Sequence, residues 1–271
     1  MKLDIPDRFQ AEVRRRHRPA FILCEDVVAT LKPAISKPRR LSRAVPRAFE
    51  LLMYQAHKSL LATCALSSRA LTEDASTLTR RLLEIAVTAG YIAYGTSADE
   101  RDRRAGCYLS QLWNETPPEL RKTIPLGEQR RWHTLVRRHH QRFAHTNPCR
   151  LPKFVKMFVD VEQTQTYEAD YSLLSSIAHG RAPSLVQDHA SCPIPILNDS
   201  QVSTILVFAC RYYLAVADLW NRRLCLMPTR VLKPVIQRSV TFFKDRKAMT
   251  AQSNPAMETD AKRRRGASPQ R

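Results

Sequence analysis

Glycine is scarce in this sequence: only six of its 271 residues are Gly, and no alternation of apolar and polar residues persists along the chain. β-Barrels and β-sandwiches need strands with a period of two residues joined by Gly-containing turns, so the sequence argues against both architectures. Gly-rich phosphate-binding loops, H-E-x-x-H and G-x-S-x-G are also absent. Common nucleotide hydrolases, zinc proteases and α/β-hydrolases are therefore disfavoured.

The cysteines form no recognisable metal site or disulfide framework. They are seven in number and include no C-x-x-C pair, so we expect reduced thiols of the kind found in cytosolic proteins. The nearest approach to a metal-binding cluster is His139, His140, His145 and Cys149. Its spacing matches no zinc pattern, and we expect neither a metal nor another cofactor.

A membrane segment is lacking as well. The N-terminus carries charges but not the apolar core of a signal peptide. The longest apolar run, from Val202 to Ala217, is interrupted by Arg211 and is shorter than the roughly 20 residues that cross a bilayer. We interpret this run as a buried helix and predict a cytoplasmic protein with no membrane contact.

Helical periodicity dominates what is present. Apolar residues recur every three or four positions in successive segments, which predicts an all-α helical bundle of about seven to nine helices. We divide the chain into a basic N-terminal helix and connector (1–45), a helical domain (46–248) and a disordered basic tail (249–271). Within the domain, Ser97 and Glu100 have the spacing of a capping box, which begins a helix.

The charge is strongly positive, at +19, but it is unevenly distributed. The two ends, 1–70 and 241–271, carry most of it, and the segment 121–150 holds eight basic residues against Glu128 alone. A basic surface of this kind suits nucleic acid, although a charge run is more often a solvated face. The candidate nucleic-acid-binding residues are Arg130, Arg131, Arg137 and Arg142.

The segment from Asp74 to Tyr94 is apolar on two sides of a helical wheel, which predicts a central helix. Arg80 and Glu84 lie four residues apart on one of these sides. Charges in that position lose water, which is costly unless they meet each other or a ligand. The alternative is an ordinary ion pair at the edge of the bundle.

A second polar feature lies between Thr164 and His179, which we predict to form one helix. Tyr167, Tyr171, Ser175 and His179 recur every four residues and so form one ridge. His179 ends the helix, where the helix dipole favours a protonated imidazole. Such a ridge can bind an anion or transfer protons, or it can be a polar seam between helices.

Together these two helices resemble the bacterial domain-of-unknown-function family 5677. The stretch from Leu78 to Glu84 resembles its R-x-x-x-E helix, the stretch from Tyr167 to Gly180 resembles its Y-x-x-x-S-x-x-x-H-G signature, and the resemblance covers roughly residues 45–225. It implies an all-helical fold but no agreed activity. The residues that it implies to converge on one ligand-binding site are Arg80, Glu84, Tyr171, Ser175 and His179.

The arrangement is also similar to the wider HEPN-like superfamily, many of whose members are ribonucleases of toxin and phage-defence systems. Their signature is an Arg that precedes a His by a few residues on one helix, and it implies that the pair positions an RNA phosphate and assists attack by the 2′-OH. Arg138 and His145, with six residues between them, meet that spacing. We take Arg138, His145 and His179 as candidate catalytic residues.

Three functions therefore remain open. The first is an RNA-directed effector in bacterial defence or toxin systems, which binds RNA or cleaves it without a metal. The second is a non-catalytic helical module that binds a small anionic ligand or a partner protein through the Arg80 site. The third is simple attraction of the basic ends to nucleic acid. A homodimer is compatible with each of them.

Overall fold

A computed structural model of the chain describes residues 7–36, 41–143, 151–161, 167–178, 201–224 and 227–253. These residues form eleven α-helices and one π-helical turn, Tyr167–Tyr171, and no strand occurs among them. The helices are α1 (Asp7–Arg16), α2 (Arg18–Ile35), α3 (Ala44–Ser67), α4 (Thr72–Ala93), α5 (Ala98–Glu115), α6 (Pro118–Thr123), α7 (Leu126–Arg142), α8 (Phe154–Asp160), α9 (Ser172–Ala178), α10 (Val202–Leu224) and α11 (Thr229–Ser253).

The all-α prediction is confirmed, whereas the expected number of helices is too low. The six-residue helix α6 follows Pro117 directly and is too short to show a periodicity in the sequence. The N-terminal segment, for which we expected one helix, contains two, α1 and α2, which meet at His17. The capping pattern at the start of α5 forms only in part. Ser97 Oγ accepts a hydrogen bond from the backbone N–H of Glu100 at 3.0 Å, but the Glu100 carboxylate binds Arg103 and Arg104.

Helix α4 lies at the centre of the bundle. It packs against α3, α5, α8, α9 and α10, while α3 and α10 also pack against each other. Leu82, Ile85, Val87 and Ala89 of α4 are all buried, so both of its apolar sides have neighbours, as the helical wheel predicts. Burial of these side chains supplies the main favourable free energy of folding.

Helix α10 corresponds to the longest apolar run of the sequence. Within the described ranges it alone has the length and apolar composition of a membrane-crossing helix. Two thirds of its most apolar stretch is buried inside the bundle, against α2, α3 and α4. Such burial is typical of a core helix.

The predicted boundaries at both ends need correction. Helix α2 packs on α10 and α3, and its Phe21, Val27 and Leu31 belong to the main core, so 1–45 is not a separate unit. Helix α11 continues to Ser253, so residues 249–253 are helical where we expected disorder. The rest of that predicted tail, 254–271, lies outside the described residues.

The cysteines also differ from the expectation of reduced thiols. Cys24, Cys64 and Cys210 are free, and the first and last of these are buried where α2 meets α10. Cys107 of α5, in contrast, is disulfide-bonded. The expectation is therefore wrong for this residue.

Helix α7 approaches α5 very closely at one point. Gly106 of α5 faces the imidazole of His139, and a Cβ atom at position 106 would overlap that ring. His139 is 5% exposed, so its ring has little room to move away. Farther along the same contact, the Trp132 ring of α7 stacks on Trp113 of α5 with 5.5 Å between ring centroids. The missing side chain at Gly106 thus sets the distance between the two helices.

We expect Gly106→Ala to lower the free energy of unfolding by roughly 1–3 kcal/mol, because the added methyl group overpacks the α5–α7 contact. The helix propensity of Ala favours the substitution by only about 1 kcal/mol. Urea or thermal unfolding measures the change.

Gly127→Ala is the matched control, because a Cβ atom there would meet nothing within 4 Å. It should leave the free energy of unfolding unchanged or raise it by up to about 1 kcal/mol. If both variants behave alike, α7 does not approach α5 as closely as described.

Candidate nucleic-acid interface

Two adjoining cavities lie along α7, where it faces the start of α3. The larger has a volume of about 550 Å³ and is also bounded by the first half of α5, and the smaller has a volume of about 300 Å³. Ser42, Leu135 and Arg138 line both cavities, so the two are continuous. We call them together the arginine groove, because the arginines that line one cavity or both are Arg43, Arg101, Arg130, Arg131, Arg138 and Arg142.

Four of these arginines have no acidic partner among the described residues, and one of the four, Arg101, donates a hydrogen bond to the backbone oxygen of Gly95. Within the described part of the chain, the exposed side chains of Arg43, Arg130 and Arg138 take part in no ion pair or hydrogen bond. A guanidinium presents five N–H donors in a planar fork that suits phosphate oxygens. The groove therefore offers positive charge that the protein itself does not neutralise.

The other candidate arginines of α7 differ from these. Arg131 pairs with Glu128 at 2.6 Å, and Arg142 pairs with Asp99 and Asp102 of α5 at 2.5 and 3.2 Å. Arg137 is exposed and is not among the residues that line either cavity. The four arginines that we grouped from the sequence are therefore not equivalent.

The start of α3 adds a smaller positive contribution to the groove. The first turn of this helix contains no acidic residue, and no side chain caps it. Unsatisfied backbone N–H groups give such a helix end a partial positive charge. Arg47 holds the helix in place, because its guanidinium binds Glu50 of α3 at 2.7 Å and Glu128 of α7 at 3.1 Å.

His139 lines the larger cavity but adds no charge at neutral pH. Burial, with help from the neighbouring charges of His140 and Arg103, lowers the pKa of its imidazole to about 4. Its Nε2 atom lies 3.8 Å from Cys107 Sγ, and its ring packs on Phe143 with 5.0 Å between centroids. The residue thus acts as a packing element that fixes α7 next to the groove.

The candidate catalytic residues lie only partly within the described chain. Arg138 lines both cavities of the groove. His145 and His179 lie outside the described residues, as does Cys149 of the possible metal cluster. Within the described ranges, no group of three or more His, Cys, Asp or Glu side chains is arranged to hold a metal ion.

The ligand site implied by the family resemblance is partly assembled, at the contact of α4 with α9. The Arg80 guanidinium lies over the Tyr171 ring, 5.6 Å from its centroid, and one of its nitrogens lies 3.5 Å from Ser175 Oγ. Glu84 does not meet Arg80 but pairs with Arg81 at 3.2 Å. Of the alternatives left open by the sequence, an Arg80–Glu84 ion pair is therefore not the one that forms.

The predicted ridge on the second helix also needs correction. Residues Tyr167–Tyr171 form a π-helical turn, and a regular α-helix begins only at Ser172. A π-helical turn bonds residues five apart, so a regular spacing of four residues does not hold through this turn. Tyr171 and Ser175 are the members of the ridge that contact Arg80.

A polar network that we did not predict holds this turn in place. Asp170 is buried, accepts a hydrogen bond from Tyr212 Oη at 2.7 Å, and pairs with Arg211 at 3.1 Å. Ser76 of α4 donates to the backbone oxygen of Leu174 at 2.8 Å. Burial raises the pKa of the Tyr212 phenol, which therefore remains a donor. The one signal in the sequence was Arg211, a charge within an apolar helix.

The groove residues outside α7 could not be identified from the sequence. Arg43 and Asp102 lie about 95 and 36 positions before Arg138 and belong to no motif. The helical packing alone brings them together. A prediction made from one basic segment could not include them.

Neither a family model, nor a curated protein, nor a solved structure matches this chain. The resemblance to family 5677 and to the HEPN-like superfamily therefore stays a prediction.

Proposed function

We propose that this protein binds RNA through the arginine groove, where Arg43, Arg130 and Arg138 hold backbone phosphates. The observation that carries the proposal is that these three guanidinium groups line one continuous concavity without acidic partners. Neutralising phosphates with arginine releases bound counterions, which is the main source of affinity for nucleic acid. The preference for RNA over DNA rests on the similarity to the HEPN-like superfamily.

The shape of the groove supports a nucleic-acid strand as the ligand. Leu41 and Leu135 line the smaller cavity together with Arg130 and Arg138, so the cavity offers both apolar surface and positive charge. A strand presents the same two chemistries, since flat bases and charged phosphates alternate along it.

We expect Arg130→Gln combined with Arg138→Gln to weaken RNA binding at least tenfold near 100 mM salt, because two phosphate contacts are lost. The slope of log K against log salt should become less steep by about 1.4, or 0.7 for each contact to a single strand. Fluorescence anisotropy with a labelled 12-nucleotide RNA at several salt concentrations measures both quantities.

Arg69→Gln is the matched control, because it removes one exposed arginine just beyond the far end of α3. At 1.5 Å per residue, the 24 residues of this helix separate position 69 from Arg43 by roughly 36 Å. The control should change affinity and slope only slightly. If each arginine removed costs the same logarithmic loss of affinity in the control as in the groove variant, binding follows net charge alone, which is the third function considered above.

RNA cleavage is the enzymatic form of the same proposal. In it, the imidazole of His145 takes the proton of a ribose 2′-OH, whose oxygen attacks the adjacent phosphorus while the bond to the 5′ oxygen breaks and that oxygen takes a proton from water. Arg138 stabilises the charge that develops on the phosphate oxygens. The products are a 2′,3′-cyclic phosphate and a 5′-OH end. This chemistry supports the assignment of Arg138 to both binding and catalysis.

We expect purified protein to cleave structured RNA in the presence of EDTA, and Arg138→Ala and His145→Ala each to lower the rate at least a hundredfold. Gel analysis of the products and of their cyclic phosphate ends measures this, with Arg69→Ala as control. His179→Ala is tested in parallel. Cleavage that survives all three of the changes Arg138→Ala, His145→Ala and His179→Ala would remove these residues from the mechanism, and absence of cleavage by the wild type would leave RNA binding alone.

A second candidate function is binding of a small anion at Arg80. This half-buried guanidinium makes one long hydrogen bond of 3.5 Å and one ring contact in the described part of the chain. Most of its five donors are therefore available to a ligand. The Arg80 guanidinium lies over the Tyr171 ring, and this cation–π contact helps to orient it.

We expect a phosphate-containing ligand at 100 times its dissociation constant to stabilise the protein by about 2.7 kcal/mol. A thermal-shift panel of nucleotides at low and high salt measures this effect, which Arg80→Gln should abolish. Arg81→Gln is the matched control, because Arg81 is exposed and pairs with Glu84. A flat panel for the wild type, or equal responses in both variants, would exclude the Arg80 site.

A further inference from the structure

Arg142 lines the larger cavity of the arginine groove, and its guanidinium is paired with two carboxylates. Its guanidinium binds Asp99 and Asp102, both from the first two turns of α5. Asp102 itself lines the cavity. The carboxylate oxygens thus occupy the donors that a phosphate would otherwise use, since both are anionic oxygen acceptors with the same preference for a planar fork.

We propose that Asp99 and Asp102 are internal competitors of phosphate at Arg142 and thereby limit the length of strand that the groove holds. This inference rests on the proposed RNA binding. In the wild-type protein, the unpaired arginines Arg43, Arg130 and Arg138 make the contacts to phosphates of the RNA. Arg142 makes no such contact, because the two carboxylates occupy its donors.

The exposure of the three side chains favours competition with phosphate as the role of this ion pair over a role in holding α5 and α7 together. The side chains of Arg142, Asp99 and Asp102 are 52%, 71% and 37% exposed. Exposed ion pairs contribute little to stability because water and salt screen them. Buried contacts at Gly106 and His139 already hold α7 against α5, so the fold does not require this ion pair.

The acidic pair also acts at a distance on any bound strand. A phosphate next to Arg142 would lie close to two negative charges, and such repulsion is a common way to restrict which ligands fit. The groove is therefore most favourable for phosphates near Arg130 and Arg138 and least favourable at its Arg142 end. Removing the carboxylates should make the Arg142 end comparable with the rest of the groove.

The test is Asp99→Asn combined with Asp102→Asn, measured with the same labelled 12-nucleotide RNA. We expect affinity to rise roughly three- to tenfold at 100 mM salt, and the slope of log K against log salt to steepen by about 0.7, the value for one added phosphate contact. Adding Arg142→Gln to the double variant should return the slope to the wild-type value and remove most of the gain in affinity. Arg142→Gln alone should leave the slope unchanged, because no phosphate contact is lost.

The matched control is Glu73→Gln combined with Asp74→Asn, which removes two exposed carboxylates from the first turn of α4. That helix begins near the end of α3 opposite the groove. If the control raises affinity as much as the Asp99 and Asp102 changes do, the effect is one of net charge and the inference is overturned. It is also overturned if wild-type protein binds RNA and the Asp99/Asp102 variant binds with the same slope. Absence of RNA binding by the wild type and by the variant would instead contradict the proposed function itself.

Discussion

The close approach of α7 to α5 at Gly106 is the contact on which the arginine groove depends. A glycine at this position lets the His139 imidazole lie against the α5 backbone, and burial keeps that imidazole neutral by lowering its pKa to about 4. Arg138 directly precedes His139 in the helix, and it lines both cavities. One missing side chain thus positions a charge on the neighbouring helix.

Much of the fold could be predicted, because apolar periodicity reports directly on burial. The two apolar sides of α4 identify the central helix from sequence alone, and Leu82 and Ile85 on one side and Leu83 and Val87 on the other are all buried. Helix ends were harder to predict. Proline usually ends a helix, but Pro33 lies inside α2. Short helices such as α6 were not predicted, because six residues are too few to show a helical period.

The candidate sites were less predictable, because they depend on contacts between distant segments. A one-residue change of register, at the π-helical turn Tyr167–Tyr171, is enough to break a ridge that looks regular in the sequence. Arg80 reaches Ser175, 95 positions away, while the nearer Glu84 turns to Arg81. A spacing of four residues allows a contact between Arg80 and Glu84, but it cannot show whether Glu84 pairs with Arg80 or with Arg81.

Charge patterning shows why counting basic residues is a poor guide to a binding surface. Neighbouring arginines of α7 have opposite environments: Arg130 and Arg138 are unpaired, whereas Arg131 and Arg142 face carboxylates. An arginine that already binds a carboxylate must exchange one anion for another, so it adds little to affinity. The positive charge that is available to a polyanion is therefore the part that folding leaves without a partner, and Arg43, Arg130 and Arg138 bring three such charges together where α7 passes the start of α3.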